Sequence, residues 1–256
     1  VSTHKIITIT GLDRVGKETQ SKLLARSLQP ARRMTFPNYS HWGGRIVKAI
    51  LQEKPFYLFH EGETVPGWEE TAGGNGPLRP NGATWTPYRH TQDKHPEIFQ
   101  MLQSVDRVAA QEEIQDGLRH HHWVMDRYEV DALAYGLIDG CGLEWLLAMD
   151  RLYRPSDLAI IMLGTPFARP GEIPDLNERD TLFQLRVQEA YGALASLLPH
   201  RLVLLNVDPY RDLGDPYRSM GEIQQKIHQI LRERLGLGDF EYPSTKWVYD
   251  VLNGTR

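Results

Sequence analysis

Gly11 to Thr19 reads G-L-D-R-V-G-K-E-T and lies between an alternating β-rich run, Lys5–Thr10, and a helical run, Ser21–Leu28. A strand, a glycine-bounded turn and a helix in that order make a phosphate-binding loop. Gly11 and Gly16 let the backbone curl until successive N–H groups point at one anion. The helix N-terminus adds a partial positive charge and Lys17 a full one. The common form of this loop ends in a Ser or Thr hydroxyl that ligates Mg²⁺; here that position is Glu18. A carboxylate is a hard oxygen ligand able to hold Mg²⁺ directly. It can equally pair with Lys17 or a neighbouring Arg and leave the metal to another group.

The 256 residues suffice for one substantial α/β domain, or at most two small ones. A net charge of −4 argues against a general binder of polymeric nucleic acid, which needs a basic face. No apolar run approaches the roughly 20 residues that span a bilayer, so no membrane partner is expected. The chain enters its first strand almost at once, and its one cysteine, Cys141, suits a reducing compartment. A cytoplasmic enzyme is the expectation.

Further strands are read at Arg33–Phe36, Trp123–Met125, Leu158–Leu163 and Arg201–Val207. Helices are read at Gly44–Gln52, Glu97–Leu118, Leu143–Leu152, Thr181–Leu198 and Glu222–Leu235. Strands alternating with helices predict a three-layer α/β fold, a central parallel sheet flanked by helices on both faces. Ligands in such sheets sit at the carboxyl ends of the strands. Residues 60–96, rich in Gly and Pro and carrying Trp68, Trp85 and Tyr88, break the alternation and read as an ordered insertion in a single domain. The aromatic-rich tail, Gly236–Arg256, is expected to pack back on the body or to make an oligomer contact.

Asp126-Arg127-Tyr128 follows the strand Trp123–Met125. A carboxylate there can bind Mg²⁺ or its waters, and the adjacent Arg can grip a second phosphate. A surface ion pair would look the same in sequence. His120-His121-His122 is not a metal site on this reading, because neighbours on a strand point to alternate faces. Cys141 lacks a catalytic partner and reads as a packed thiol.

Taken with Phe36-Pro37, Ser104-Val105-Asp106-Arg107 and Glu178-Arg179 before Phe183-Gln184, these motifs give the chain a resemblance to thymidylate kinases of the P-loop nucleoside-monophosphate kinase superfamily. The resemblance runs from about Lys5 to Val207 and leaves out the insertion. It implies ATP as phosphoryl donor, Mg²⁺ as cofactor and a deoxynucleoside monophosphate as acceptor. Gly11, Val15, Gly16, Lys17, Glu18 and Thr19 would then cradle ATP, with Arg169 and Arg179 in a lid at about residues 167–180. Asp13 is similar to the loop acid that contacts the acceptor's 3′-hydroxyl, and Arg14 to an arginine that stabilises the transferring phosphoryl group. Arg127 would bind the acceptor's 5′-phosphate, while Glu18 and Asp126 are the candidate metal ligands. Phe36, Pro37, Phe99, Gln103, Arg107 and Tyr135 would form the acceptor pocket. In it, Arg107 reaches the pyrimidine O4 and Tyr135 lies near the sugar C2′. Each has a plain rival role: a solvated helix arginine, a core aromatic. Quaternary structure stays open, a homodimer being the form many such kinases take.

The departures bear on base identity. Gln103 stands where the family places a stacking phenylalanine, Tyr39 where it places a phosphate-binding arginine, and Asp180 where the lid carries a tyrosine. Helical spacing puts Phe99, Gln103 and Arg107 on one face, so Phe99 can take over stacking or Gln103 can read a polar substituent on the base. The expected reaction is ATP + dNMP → ADP + dNDP, with dTMP or a 5-substituted analogue as acceptor. A deoxynucleoside kinase needs a carboxylate after the second strand, where Phe36-Pro37-Asn38 offers none. A nucleotide-binding regulatory protein that lost its metal through Glu18 is the non-enzymatic alternative.

Overall fold

The computed structural model describes residues 3–51, 96–167, 181–211 and 213–255. Its centre is a sheet of five strands: β1 (Ile6–Gly11), β2 (Ala31–Thr35), β3 (His122–Asp126), β4 (Leu158–Leu163) and β5 (Leu202–Asn206). Their order is β2-β3-β1-β4-β5 and every neighbouring pair runs parallel. All residues of β1 and β3 are buried. Strands covered on both faces need continuous rather than alternating apolar character, and Ile6, Ile7, Ile9, Val124 and Met125 supply it.

The helices are α1 (Lys17–Ser27), α2 (Trp42–Leu51), α3 (Pro96–Ala109), α4 (Gln111–Gly117), α5 (Glu129–Ile138), α6 (Leu143–Asp150), α7 (Thr181–Leu197), α8 (Pro216–Leu235) and α9 (Thr245–Leu252). The main core joins β1 and β4 to α5, α7 and α8 through Ile7, Ile160, Leu133, Tyr191, Leu194, Ile227 and Leu231. A second core under β2 and β3 gathers Met34, Phe36, Ile114, Trp123, Met125, Tyr128 and Tyr153. Among the described residues no helix is long and apolar enough to cross a membrane.

Two differences from the sequence reading have physical causes. The helix expected over Glu97–Leu118 is two helices, broken at Ala110. There the Gln111 amide donates to the Arg107 carbonyl at 2.9 Å, a side chain standing in for the backbone. Helix α5 was not anticipated, because it is buried on nearly every side and shows no amphipathic stripe. Within it, fully buried Glu129 holds Arg201 at 3.2 Å and accepts from Ser156 N–H and Oγ at 2.9 Å each. The tail forms α9, capped by Ser244, and packs Trp247 and Val248 on Leu23 of α1, the first of the two fates expected for it. The expected insertion, apart from Pro96, and the residues expected in a lid, Arg169, Arg179 and Asp180, lie outside the described residues.

Candidate active site

Sheet register sets the site. Ile9 of β1 pairs with Asp126 of β3, so the loops leaving both strands emerge side by side. The Arg127 N–H donates to the Ile9 carbonyl at 3.0 Å and stitches the two exits together. At Gly11, φ is +130°, and a Cβ there would come within 1.9 Å of the Met162 carbonyl oxygen on β4. Only glycine lets β1 end against β4 in this way. Arg14 and Arg127 both carry positive φ, 58° and 62°, an uncommon conformation for residues with a Cβ.

Lys17, the first residue of α1, is buried, and its ammonium donates to the Leu12 carbonyl. It also approaches Asp13 Oδ1 at 3.3 Å. The same Asp13 oxygen accepts from Arg127 Nη2, and Tyr135 donates to Asp13 Oδ2 at 3.3 Å. Arg127 Nη1 lies 3.5 Å from Asp131. Asp131 is itself held by Thr10 at 2.6 Å, by Tyr191 at 3.1 Å and by the Tyr128 N–H at 3.1 Å. One chain of opposite charges, Lys17, Asp13, Arg127 and Asp131, therefore crosses from the loop to α5.

The electrostatics follow from that order. Burial pushes the Asp13 carboxyl up, but Arg127 and Lys17 outweigh it and hold the group well below the ordinary carboxylate range. Burial, aided by Arg127, lowers the Lys17 ammonium to about 8 against the opposing pull of Asp13. The Tyr135 hydroxyl is pushed up by burial and stays protonated. Phe167, at the edge of the expected lid, donates its N–H to the Arg14 carbonyl at 2.8 Å and takes the Arg211 guanidinium over its ring at 4.4 Å.

No family model and no curated protein matches this sequence. Solved structures do. A thymidylate kinase from Candida albicans is 17% identical with a TM-score of 0.55, covering 93% of this chain and 97% of that one. A thymidylate kinase from Ehrlichia chaffeensis is 15% identical with a TM-score of 0.58, covering 89% and 98%. The chain has the thymidylate kinase fold. At these identities the likeness speaks for architecture alone.

Among the residues expected to form the acceptor pocket, Arg107 is buried and gives Nε and Nη2 to the Tyr128 carbonyl at 3.1 and 2.8 Å. Its Nη1 donates to the Gln103 carbonyl at 2.8 Å, and Nη2 approaches Gln103 Oε1 at 3.4 Å. Phe36 packs on Tyr128 with ring centroids 5.0 Å apart and lies 6.0 Å from the Arg107 guanidinium. Gln103, Arg107, Phe36 and Pro37 thus share one region. Phe99 sits elsewhere: its ring is buried against Val47, Ile46 and Leu102 between α2 and α3. Asp106 pins the turn after Pro37 by accepting the Asn38 N–H at 2.7 Å. Tyr39 is half-exposed with Lys48 Nζ 4.9 Å from its ring centroid.

The two carboxylates expected at the metal are both engaged by cations. Glu18 is exposed and pairs with Lys22 at 2.7 Å, one turn along α1. Asp126 is paired with Arg33 of β2. Among the described residues no cluster of three His, Cys, Asp or Glu can hold a metal ion. This donor set does not fit a protein-held Mg²⁺. Arg33, Asp131 and Tyr191 were missed in the sequence. Asp131 carries a readable signal, four residues beyond Arg127 on a helix start; Arg33 and Tyr191 reach the site only through packing.

Proposed function

We propose that this chain is a nucleoside-monophosphate kinase that transfers the γ-phosphoryl group of ATP to a pyrimidine deoxynucleoside monophosphate, dTMP or a 5-substituted analogue. The observation that carries this reading is the shared carboxylate of Asp13, which draws Lys17 of the loop and Arg127 of the β3 exit onto one point. A donor-side and an acceptor-side cation set that close suit two phosphates that must meet despite mutual repulsion. Phosphoryl transfer needs no covalent intermediate, so alignment and charge neutralisation are the protein's work.

In this reading the loop from Gly11 through Val15, Gly16 and Thr19 cradles ATP, Lys17 grips its phosphates and Arg14 meets the transferring group. Asp131 keeps Arg127 aimed while the acceptor's phosphate replaces Asp13 as its partner. Mg²⁺ is the companion of the donor's own phosphates. Arg107 and Gln103 read the base, and Tyr135 borders the sugar. The buried free thiol of Cys141 is in keeping with a reducing, cytoplasmic setting.

A second reading, nucleotide binding without turnover, is favoured by the Glu18–Lys22 and Arg33–Asp126 pairs. A coupled ADP-release assay separates the two, with Mg-ATP against dTMP, dUMP, 5-hydroxymethyl-dUMP, dCMP, dGMP and dAMP. Turnover of one pyrimidine monophosphate supports the kinase. ATP binding with no turnover of any acceptor supports the regulatory reading.

A further inference from the structure

Arg33 lies on β2, outside the site expected from sequence, yet its guanidinium joins two elements of that site. Nη2 donates to the Asp126 carboxylate, and Nε donates to Ser21 Oγ at 2.8 Å. Ser21 donates in turn to the Glu18 carbonyl at 2.9 Å. A continuous run of hydrogen bonds therefore ties the end of β3 to the first turn of α1. The Asp126 side chain is 8% exposed and that of Arg33 24%. A carboxylate so shielded from water needs a cation, and breaking a buried pair leaves the remaining charge uncompensated. A guanidinium and a divalent ion held on the same carboxylate would repel each other. They are alternatives, and this chain supplies the guanidinium.

We propose that Arg33 is the built-in counter-ion of Asp126: a positioning residue that fixes this carboxylate to α1 and keeps it from acting as a metal ligand. The nucleotide-free chain then has no divalent-cation site at the loop, and the metal arrives with the nucleotide. This deepens the kinase reading and rests on it for its catalytic consequence, whereas the ion-binding claim stands on the Arg33 contacts alone.

The test is Mn²⁺ binding to nucleotide-free protein, followed by the electron paramagnetic resonance signal of the free ion. Parent, Arg33→Ala, Arg33→Gln, Arg33→Lys, Asp126→Asn and the double variant Arg33→Ala/Asp126→Asn are compared. Parent and Arg33→Lys should bind weakly, and Asp126→Asn should leave that weak binding unchanged. Arg33→Ala and Arg33→Gln should bind at least about tenfold more tightly. Adding Asp126→Asn should remove the gain.

Two results overturn the assignment. One is parent binding as tight as that of the alanine variant and lost in Asp126→Asn. The other is no gain in a folded neutral variant, as judged by circular dichroism. Should neither neutral variant fold, the parent against Asp126→Asn comparison still decides, since a loss in Asp126→Asn makes Asp126 a ligand. The assay contains no nucleotide. Failure of every acceptor in the ADP-release assay would therefore sink the kinase reading while leaving the Mn²⁺ result to judge Arg33 separately.

Discussion

Asp13 and Arg127 share a hydrogen bond although 114 positions of sequence separate them. Through it the loop after β1 and the exit of β3 behave as one charged unit. Asp13 is the hub, since Lys17 and Tyr135 converge on the same carboxylate.

Replacing Asp13 with Asn should cost about 1.5–3 kcal/mol at pH 7, the range for hydrogen bonds to charged groups. Because the folded-state pKa of Asp13 is depressed, its stabilisation is fully present above the ordinary value of 3.8 and is lost as pH falls below it. Urea unfolding of parent and variant should therefore show a constant gap from pH 7 to about 5 that narrows only below about pH 4. A gap unchanged at pH 3 would contradict the assigned charge pairing.

Lys17 shifts stability in the same direction with pH, but in a higher window. Its ammonium is lowered to about 8 from 10.5, so between those values the unfolded chain binds more protons than the native one. Parent stability should rise across that window, and Lys17→Met should lack this rise. Thermal melts at pH 7.5, 9 and 10.5 check it, the stability of Lys17→Met relative to parent falling as pH increases. In the kinase assay Lys17→Ala should lose at least about a hundredfold in turnover, as when one transition-state donor is removed. A severalfold loss would remove Lys17 from the chemistry.

Gly11→Ala should destabilise the fold by about 3 kcal/mol or more. The added methyl meets the Met162 carbonyl at 1.9 Å, and the backbone φ of +130° is one that side-chain-bearing residues rarely adopt. Gly140→Ala is the control. Its φ is +92°, but nothing lies within 4 Å of the new Cβ, so only backbone strain is added there. Equal unfolding midpoints for the two variants would show that the β1–β4 approach is not the constraint.

Gln103 borders Arg107, and in the proposed kinase its amide would select a polar substituent on the base. Gln103→Phe should shift kcat/KM toward dTMP relative to 5-hydroxymethyl-dUMP by at least about tenfold. An unchanged ratio would assign base choice to other residues.

The glycine-bounded turn between β1 and α1, the place of Asp126 and Arg127 at the end of β3, and all five strands were legible because each is local. The loop is a fixed spacing of glycines and lysine, and each strand is a short apolar run closed by turn residues. Phe99 was not legible in this sense. Its spacing from Gln103 and Arg107 allowed a stacking role, yet its ring faces Val47 on α2, a neighbour that periodicity along one helix cannot name. Helix α5 escaped for a related reason: it is enclosed by α3, α6 and α7, and full enclosure erases the polar stripe by which a helix is read.

Sequence alone determined the order of the strands, the glycine-bounded turn after β1 and the types of charge brought to it, since those depend on neighbours a few residues apart. Glu18–Lys22 and Arg127–Asp131 are pairs four residues apart, within reach of helical spacing. The long-range meetings were decided only by tertiary structure: Asp126 turned to Arg33, and Arg127 to Asp13. Pairing of this kind is set by sheet register and by the cost of enclosing an unpartnered charge, and both exist only once β2, β3 and β1 lie side by side.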